Sequence, residues 1–310
     1  MTVPFDRVPL HEQRDLFRRL VDLGYTDAWS AETEGYDAFT PLALASVWAP
    51  ELRLGTAIVP AFTRGPAVVA SSAAALADAA PGRFVLGIGA SSNVIVERWN
   101  GGTFEKPYEK VRDLLRFLRT AFAGEKAGGG FRLGRVPDPT PPILVAALRE
   151  GMLRLAGREG DGAILNWLSA EDVRTVAPIV QQASPDGSPR EVVARIFVAP
   201  TTDTEAVRAA GRRMIAAYLN VPVYAAFHEW LGRGELLQPM WSAWRAGDRQ
   251  AALEAVPDQV IDEILVHGAP EACREHLARY AANGVTTPMV AIVGVGGVDP
   301  IQAMADLAPR

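Results

Sequence analysis

One cysteine in 310 residues, Cys273, leaves the chain no internal disulfide to form. Four histidines, His11, His228, His267 and His276, stand at no spacing that puts two of them one helical turn apart. The sequence therefore offers no metal-ligand pattern. No apolar run reaches the roughly eighteen residues of a membrane span. The opening MTVPFDRVPL lacks the basic and apolar regions of a secretion signal, so a cytoplasmic protein is expected. Basic charge is also scarce. Lys and Arg number 31 against 36 Asp and Glu, a net charge of -5, which gives no electrostatic reason to expect nucleic acid or an anionic membrane as a partner. What is present in quantity is apolar residue, at 49% of the chain, enough to fill a sizeable core; 22% charged residues argue against disorder.

Read along its length, the chain alternates strand and helix patterns. A helix is expected over 9–23, where Leu16, Leu20 and Leu23 recur at helical spacing and Gly24 offers a left-handed stop. A strand follows over 25–30. Thr40 and Pro41 read as N-cap and first-turn proline of a helix that Pro50 ends. Residues 52–59 read as a strand, 65–79 as a helix, and 83–88 as an apolar strand after the Pro81-Gly82 turn. Then come a helix over 111–122, a Gly- and Pro-rich loop over 124–142, and a strand over 143–147. A short helix over 152–157 and a strand over 162–166 precede a helix that Ser169 and Asp172 start and that ends near Ala183. After a strand over 192–200, residues 203–264 are almost wholly helical, and a helix over 270–282, closed by Gly284, leads to a strand over 288–293.

That makes seven clear strands, and an eighth requires residues 2–5 to pair despite Pro4. The expected fold is an α/β class (β/α)8 barrel, a TIM barrel, in one domain over 1–310 with a helical insertion over 203–264 between the last two strands. An open doubly wound sheet is the alternative.

In such a barrel, function sits where strands end and their following loops begin. This nominates Glu32, Thr33, Ala57, Ile58, Val59, Pro60, Gly89, Ala90, Ser91, Ser92, Ala147, Leu148, Arg149, Asn166, Trp167 and Thr201. Gly87 to Ser92 carries two glycines directly after an apolar strand, where backbone N–H groups can approach a phosphate or a flat ring, or simply form a tight turn. The third glycine of a dinucleotide fingerprint is missing, and no helix is expected to start at once. The turn from Ala147 to a helix start offers free amides and the Arg149 guanidinium to a phosphate; the alternative is that Arg149 pairs with Glu150 on the surface. Glu32 and Glu34, two apart in a loop, fix no carboxylate separation. Cys273 reads as buried and inert, and Trp230, Trp241 and Trp244 as insertion core or dimer contact.

The stretches DLGYTDAWSAE, LRLGTAIVPAFTRGPAVVA, APGRFVLGIGASS and VAALREGMLRLAGREGDGAILNW, with ILVHG and NGVTTP towards the C-terminus, resemble the luciferase-like monooxygenases. They are most similar to the actinobacterial branch that depends on the deazaflavin coenzyme F420. The resemblance implies a luciferase-like barrel that binds F420, or alternatively FMN. Its ring would pack at Ala57, Ile58 and Val59 over a non-prolyl cis peptide. The amides of Gly89, Ala90, Ser91 and Ser92 and of Ala147, Leu148 and Arg149 would hold the phosphate. Glu32 matches an acidic position beside the ring, and Glu32, Thr33, Ser92, Asn166 and Trp167 are expected to surround the reacting face.

Thr33 falls where the family's sugar-phosphate dehydrogenases carry a catalytic histidine, Ser92 replaces their acidic partner, and Ser169 replaces a lysine that holds substrate phosphate. Glucose 6-phosphate is therefore not expected as substrate. The implied activity is hydride transfer between the deazaflavin and a small organic substrate. The alternatives are an FMN-dependent two-component monooxygenase served by a flavin reductase, and a non-catalytic flavin- or F420-binding protein. A homodimer is the family default.

Overall fold

Prolines set where many of the helices begin. In the computed structural model, which describes residues 1–5 and 8–309, α2 (Thr40–Trp48), α3 (Pro66–Ala79), α4 (Pro107–Phe122), α8 (Pro222–His228), α12 (Pro270–Ala282) and α13 (Pro300–Asp306) all carry proline in their first two positions. There its missing N–H has no helical partner to lose, and its fixed φ suits the turn. Thr40 is not the N-cap the sequence suggested: Phe39 is, and the Asp37 carboxylate takes the Phe39 and Thr40 amides at 2.9 and 3.1 Å.

The described residues group into two compact units. The first comprises Met1–Ile164 and Ile179–Val193, with Pro309. Its elements are α1 (Arg14–Asp22), β1 (Asp27–Ser30), α2, β2 (Arg53–Thr56), β3 (Val59–Pro60), α3, β4 (Phe84–Gly89), α4, β5 (Ile143–Ala146) and α5 (Glu150–Arg158). It also holds the first residues of β6 (Gly162–Asn166) and β7 (Glu191–Ala199) and the last turn of α6 (Val173–Gln182). All its strand pairs are parallel: Asp27 sits opposite Arg53, Leu54 opposite Phe84, Ile88 opposite Val145, and Leu144 opposite Gly162. Glu191 N–H donates to Asp161 C=O at 3.1 Å where β7 enters.

The stub of a first strand forms as a single parallel bridge of Thr2 with Trp29, with Val3 N–H donating to Trp29 C=O at 2.8 Å. The strand expected over 52–59 is two short ones, because the Ala57–Ile58 peptide is cis and separates β2 from β3.

Strands buried this tightly need residues without side chains at two points. A Cβ on Gly55 would lie 2.2 Å from the Trp29 ring, and one on Gly87 would lie 1.9 Å from the Thr56 carbonyl oxygen. The Thr56 hydroxyl also bonds the Gly87 backbone, donating to Gly87 C=O at 2.9 Å and accepting from Gly87 N–H at 2.8 Å. Arg53 ties the strands at their other end, pairing with Asp27 at 3.0 Å and with Glu191. Trp29, Leu54, Phe84, Leu86 and Ile88 are sealed from solvent around these contacts, each worth about 1.5–3 kcal/mol of burial.

The second unit, Leu165–Pro178 and Ala194–Ala308, holds the ends of β6 and β7 and most of α6. It continues with α7 (Thr204–Tyr218), α8, α9 (Gly234–Arg245), α10 (Arg249–Glu254), α11 (Asp258–Ile264), β8 (Leu265–His267), α12, β9 (Thr287–Ile292) and α13. The helical insertion is thus present over the expected residues. Asp203 and Asp248 cap α7 and α10, accepting from Ala206 and Ala251 at 3.0 and 2.9 Å. Trp241 belongs to the insertion core and donates its indole N–H to Leu219 C=O at 2.9 Å, while Trp230 is partly exposed and Trp244 carries Arg249 over its ring.

Strand β8 was not expected. It follows α11 without a turn and pairs in parallel with β7, Val198 opposite Val266. Strand β9 also pairs with β7, and Val293 N–H donates to Val198 C=O at 2.8 Å. Among the described residues, no helix is long and apolar enough to cross a membrane.

Candidate cofactor and substrate site

In the first unit the nominated residues fall on the ends of three paired strands. Val59 of β3 lies opposite Ile88 of β4, which lies opposite Val145 of β5. Where these strands end, Ile58, Gly89 and Ala146 meet. A Cβ on Gly89 would stand 2.8 Å from the Ala146 Cβ and 3.0 Å from Ile58 Cγ1. The result is a close-packed apolar floor that only glycine permits at its centre.

Beyond the floor the backbone turns away with its donors unspent. Ser91 takes a left-handed conformation (φ 65°), and among the described residues no protein acceptor takes the N–H of Ala90, Ser91 or Ser92. The Ser92 hydroxyl receives Ile95 N–H at 3.4 Å and starts a π-helical turn over Val94–Trp99, so a helical segment does begin here, contrary to the sequence reading.

On the neighbouring strand, α5 starts at Glu150 with Arg149 as N-cap and no side-chain cap. The amides of Leu148, Arg149, Glu150 and Gly151 likewise have no protein acceptor among the described residues. Ala147 differs from its expectation: its N–H is spent on Ile164 C=O at 3.0 Å, so it can pack beside a ligand but not donate to one. Nor does Arg149 pair with Glu150. Glu150 is taken by Arg154 one turn along the helix, at 2.7 Å, which leaves the exposed Arg149 without an ion pair among the described residues. Two sets of free amides on adjacent strands, with an unpaired cation and the positive end of a helix, suit the oxygens of a phosphate.

Glu32 does not stand as a free carboxylate. Arg64, which the sequence reading passed over, donates from Nε to both Glu32 oxygens at 3.0 Å and from Nη2 to Oε2 at 2.8 Å. Thr63 Oγ1 adds a contact at 3.4 Å and Ala38 N–H one at 3.3 Å. These bonds push the Arg64 pKa further up. Glu32 N–H donates to Ile58 C=O at 3.3 Å, so the ion pair is fastened to the floor. Thr33 and Glu34, by contrast, are exposed.

In the second unit Asn166 ends β6 with its Oδ1 accepting Trp167 N–H at 3.1 Å and its Nδ2 donating to the Tyr224 hydroxyl at 3.2 Å. Trp167, in a left-handed conformation (φ 56°), is sealed from solvent, its ring packed on Phe197 and Tyr218 at centroid distances of 4.3 and 4.7 Å. Its expected place on an open reacting face is therefore corrected: it is a buried support.

His228 Nε2 meets Trp167 C=O at 2.9 Å. Burial, then the nearby Arg233, pulls the His228 pKa down to about 4, so the neutral ring donates. Ser169 is equally enclosed, its hydroxyl donating to Asp172 at 2.8 Å and accepting from Arg233 at 3.2 Å. It serves the start of α6 and the buried Arg233–Asp172 pair. Thr201, the remaining nominee, caps a turn by accepting Asp203 N–H at 3.2 Å. Cys273 is buried, its thiol pushed up to about 11 by desolvation.

Comparison with known proteins places this geometry. A family model described as luciferase-like monooxygenase matches residues 3–287. A Mycobacterium tuberculosis protein named as a coenzyme F420-dependent oxidoreductase is 25% identical over 332 residues, covering 96% of this chain and 95% of that protein. Among solved structures, the coenzyme F420 dependent tetrahydromethanopterin reductase of Methanopyrus kandleri superposes with a TM-score of 0.78 at 18% identity, over 99% of this chain and 96% of that one. The oxygenating constituent of 3,6-diketocamphane monooxygenase from Pseudomonas putida, in complex with FMN, gives a TM-score of 0.66 at 16% identity, over 98% and 92%. At such identities the likeness of the structures establishes the fold, a parallel barrel of strands with surrounding helices.

Proposed function

The chain belongs to the luciferase-like monooxygenase family, and from that membership we propose that it is a coenzyme F420-dependent oxidoreductase acting on a small organic substrate. The observation that carries the proposal is the pair of amide clusters, Ala90–Ser92 and Leu148–Gly151, which among the described residues face no protein acceptor and stand beside an Arg149 without an ion pair. Peptide N–H groups and a guanidinium are the donors a phosphate-bearing coenzyme requires. When bound, F420 would supply the redox chemistry, accepting a hydride at C5 of its deazaflavin ring or, in its reduced form, donating one.

The chain's own part is position. Ile58, Gly89 and Ala146 form a floor without polar side chains on which a flat ring can lie. Glu32, held by Arg64, offers carboxylate oxygens as hydrogen-bond acceptors fixed in place by the ion pair. Ser92, at the end of β4, supplies a polar group for the substrate side. Ser169 is consumed within its own unit, which supports the expectation that glucose 6-phosphate is not turned over.

FMN carries a phosphate too, and no residue of the amide clusters distinguishes the two coenzymes. Titration of the purified chain with each, followed by fluorescence, tests the reading. F420 is expected to bind and, once reduced, to exchange hydride with an organic acceptor. Binding of FMN alone would shift the assignment to a two-component monooxygenase, and tight binding with no redox turnover of any substrate to a sequestering protein. Indifference to both coenzymes would refute it.

A further inference from the structure

The bond between Asn166 and Tyr224 has a direction. Asn166 Oδ1 is occupied by Trp167 N–H at 3.1 Å, so the amide presents its NH2 to Tyr224, and the phenol oxygen is the acceptor at 3.2 Å. The phenol's own proton is left over. Among the described residues no acceptor takes it, and the Tyr224 hydroxyl has no other hydrogen-bond partner. A half-buried donor without an acceptor is a deficit that the protein leaves open and that a ligand oxygen can close. Burial pushes the Tyr224 pKa up, which keeps the proton on the oxygen.

The surroundings narrow what that ligand is. Tyr218 packs nearly parallel on Trp167 (29° between the rings) while 40% of it stays exposed, and it meets Tyr224 edge-on at 6.3 Å. A flat aromatic surface thus lies beside the unspent donor. Helix α8 is anchored to the end of β6 twice, by Asn166 to Tyr224 and by His228 to Trp167 C=O, so the hydroxyl is held in place before any ligand arrives.

We propose that Tyr224 is a specificity-determining residue, its hydroxyl donating a hydrogen bond to the carbonyl oxygen of a flat, neutral, aromatic or conjugated carbonyl substrate that packs on Tyr218. This rests on the oxidoreductase reading for its biological sense, but the binding is measurable without turnover.

The test uses acetophenone and α-methylstyrene, in which a C=CH2 group replaces C=O at nearly the same shape. Saturation-transfer NMR on the full chain, with and without F420, is expected to show acetophenone binding roughly threefold to tenfold more tightly than α-methylstyrene, the factor one neutral hydrogen bond supplies. In Tyr224→Phe that preference is expected to vanish through loss of acetophenone affinity, with α-methylstyrene and F420 binding unchanged. Equal binding of the two probes by the unmodified protein, absence of acetophenone binding, or retention of the preference in Tyr224→Phe each overturns the assignment. Failure of F420 to bind, with the acetophenone preference intact, would instead overturn the F420-dependent reading and leave this site standing.

Discussion

Glu32 and Arg64 form an ion pair whose side chains are only 16% and 24% exposed, with Thr63 and the Ala38 amide completing the carboxylate's shell. Removing the cation leaves a largely enclosed carboxylate with too few donors, which costs more than the pair itself contributes. Arg64→Met is expected to lower unfolding stability by about 1–3 kcal/mol, discounted for the residual exposure, and Arg64→Lys to recover part of it. Urea unfolding checks this, and no difference between Arg64→Met and the unmodified chain would show the pair to be incidental. At this scale the sequence was partly legible. Glu32, Ile58 and Gly89 could be nominated because each stands where an apolar run stops. Arg64 could not, since nothing local marks which of 31 basic residues turns inward to a carboxylate 32 positions away. Tyr224 and His228 were hidden for the same reason: each bonds to β6 across about sixty residues. Arg149 was legible as an option, and only the observed Glu150–Arg154 pair decides that it stays free.

Among elements, β4 depends most on a single atom's absence. A Gly87→Ala side chain would meet the Thr56 carbonyl oxygen at 1.9 Å and Ile164 Cδ1 at 2.5 Å, both inside a sheet that cannot yield without breaking the Thr56 hydroxyl bonds. The expected cost is large, about 3 kcal/mol or more, and soluble yield with thermal melting reads it directly. A Gly35→Ala control, where the added carbon meets nothing within 4 Å, should be nearly silent. Equal effects of the two would contradict the packing argument. Most elements were readable because apolar runs of strand length alternate with prolines and glycines that fix helix starts and turns. The exceptions have physical reasons. Strand β8 is three residues long and follows α11 directly, with no turn residue between them. Helix α13 lies past the last strand in a Pro- and Gly-rich tail whose turn signals masked it. The break between β2 and β3 sits inside what the sequence reads as one strand over 52–59, and only the family resemblance pointed to it.

At the scale of the whole molecule, stability carries a pH signature from His228, which faces Arg233, Asp172, Glu263 and the Trp167 carbonyl. Its pKa is about 4 when folded and about 6.5 when unfolded. Above the unfolded value both states are neutral and the contribution is complete. As pH falls from about 6.5 towards 4, only the unfolded chain takes the proton, so stability declines, by about 3 kcal/mol at most from this group. His276 is depressed to about 4 as well and adds in the same sense. Urea midpoints between pH 7 and 5 should therefore fall, and His228→Gln, which keeps a donor for Trp167 C=O without a titrating ring, should lower the proton uptake on unfolding by about one. An unchanged slope in His228→Gln would mean the ring is not buried neutral.

The division of the chain into two units was not legible. Periodicity reports which face of an element is buried, but not how the buried faces group, and β6, α6 and β7 each run from one unit into the other.

The free amides at and beyond the ends of β4 and β5 are proposed to meet a coenzyme phosphate. The most direct measurement compares F420 with the bare ribityl deazaflavin, which has the same ring system and lacks the phosphate and the tail attached through it, in fluorescence titrations of the unmodified chain and of Arg149→Ala. The prediction is that F420 binds at least about tenfold more tightly than the ribityl deazaflavin, one charge-assisted contact or more, and that Arg149→Ala weakens F420 while leaving the ribityl deazaflavin unchanged. Equal affinities for the two molecules, or an Arg149→Ala variant that binds F420 as well as the unmodified chain does, would contradict it.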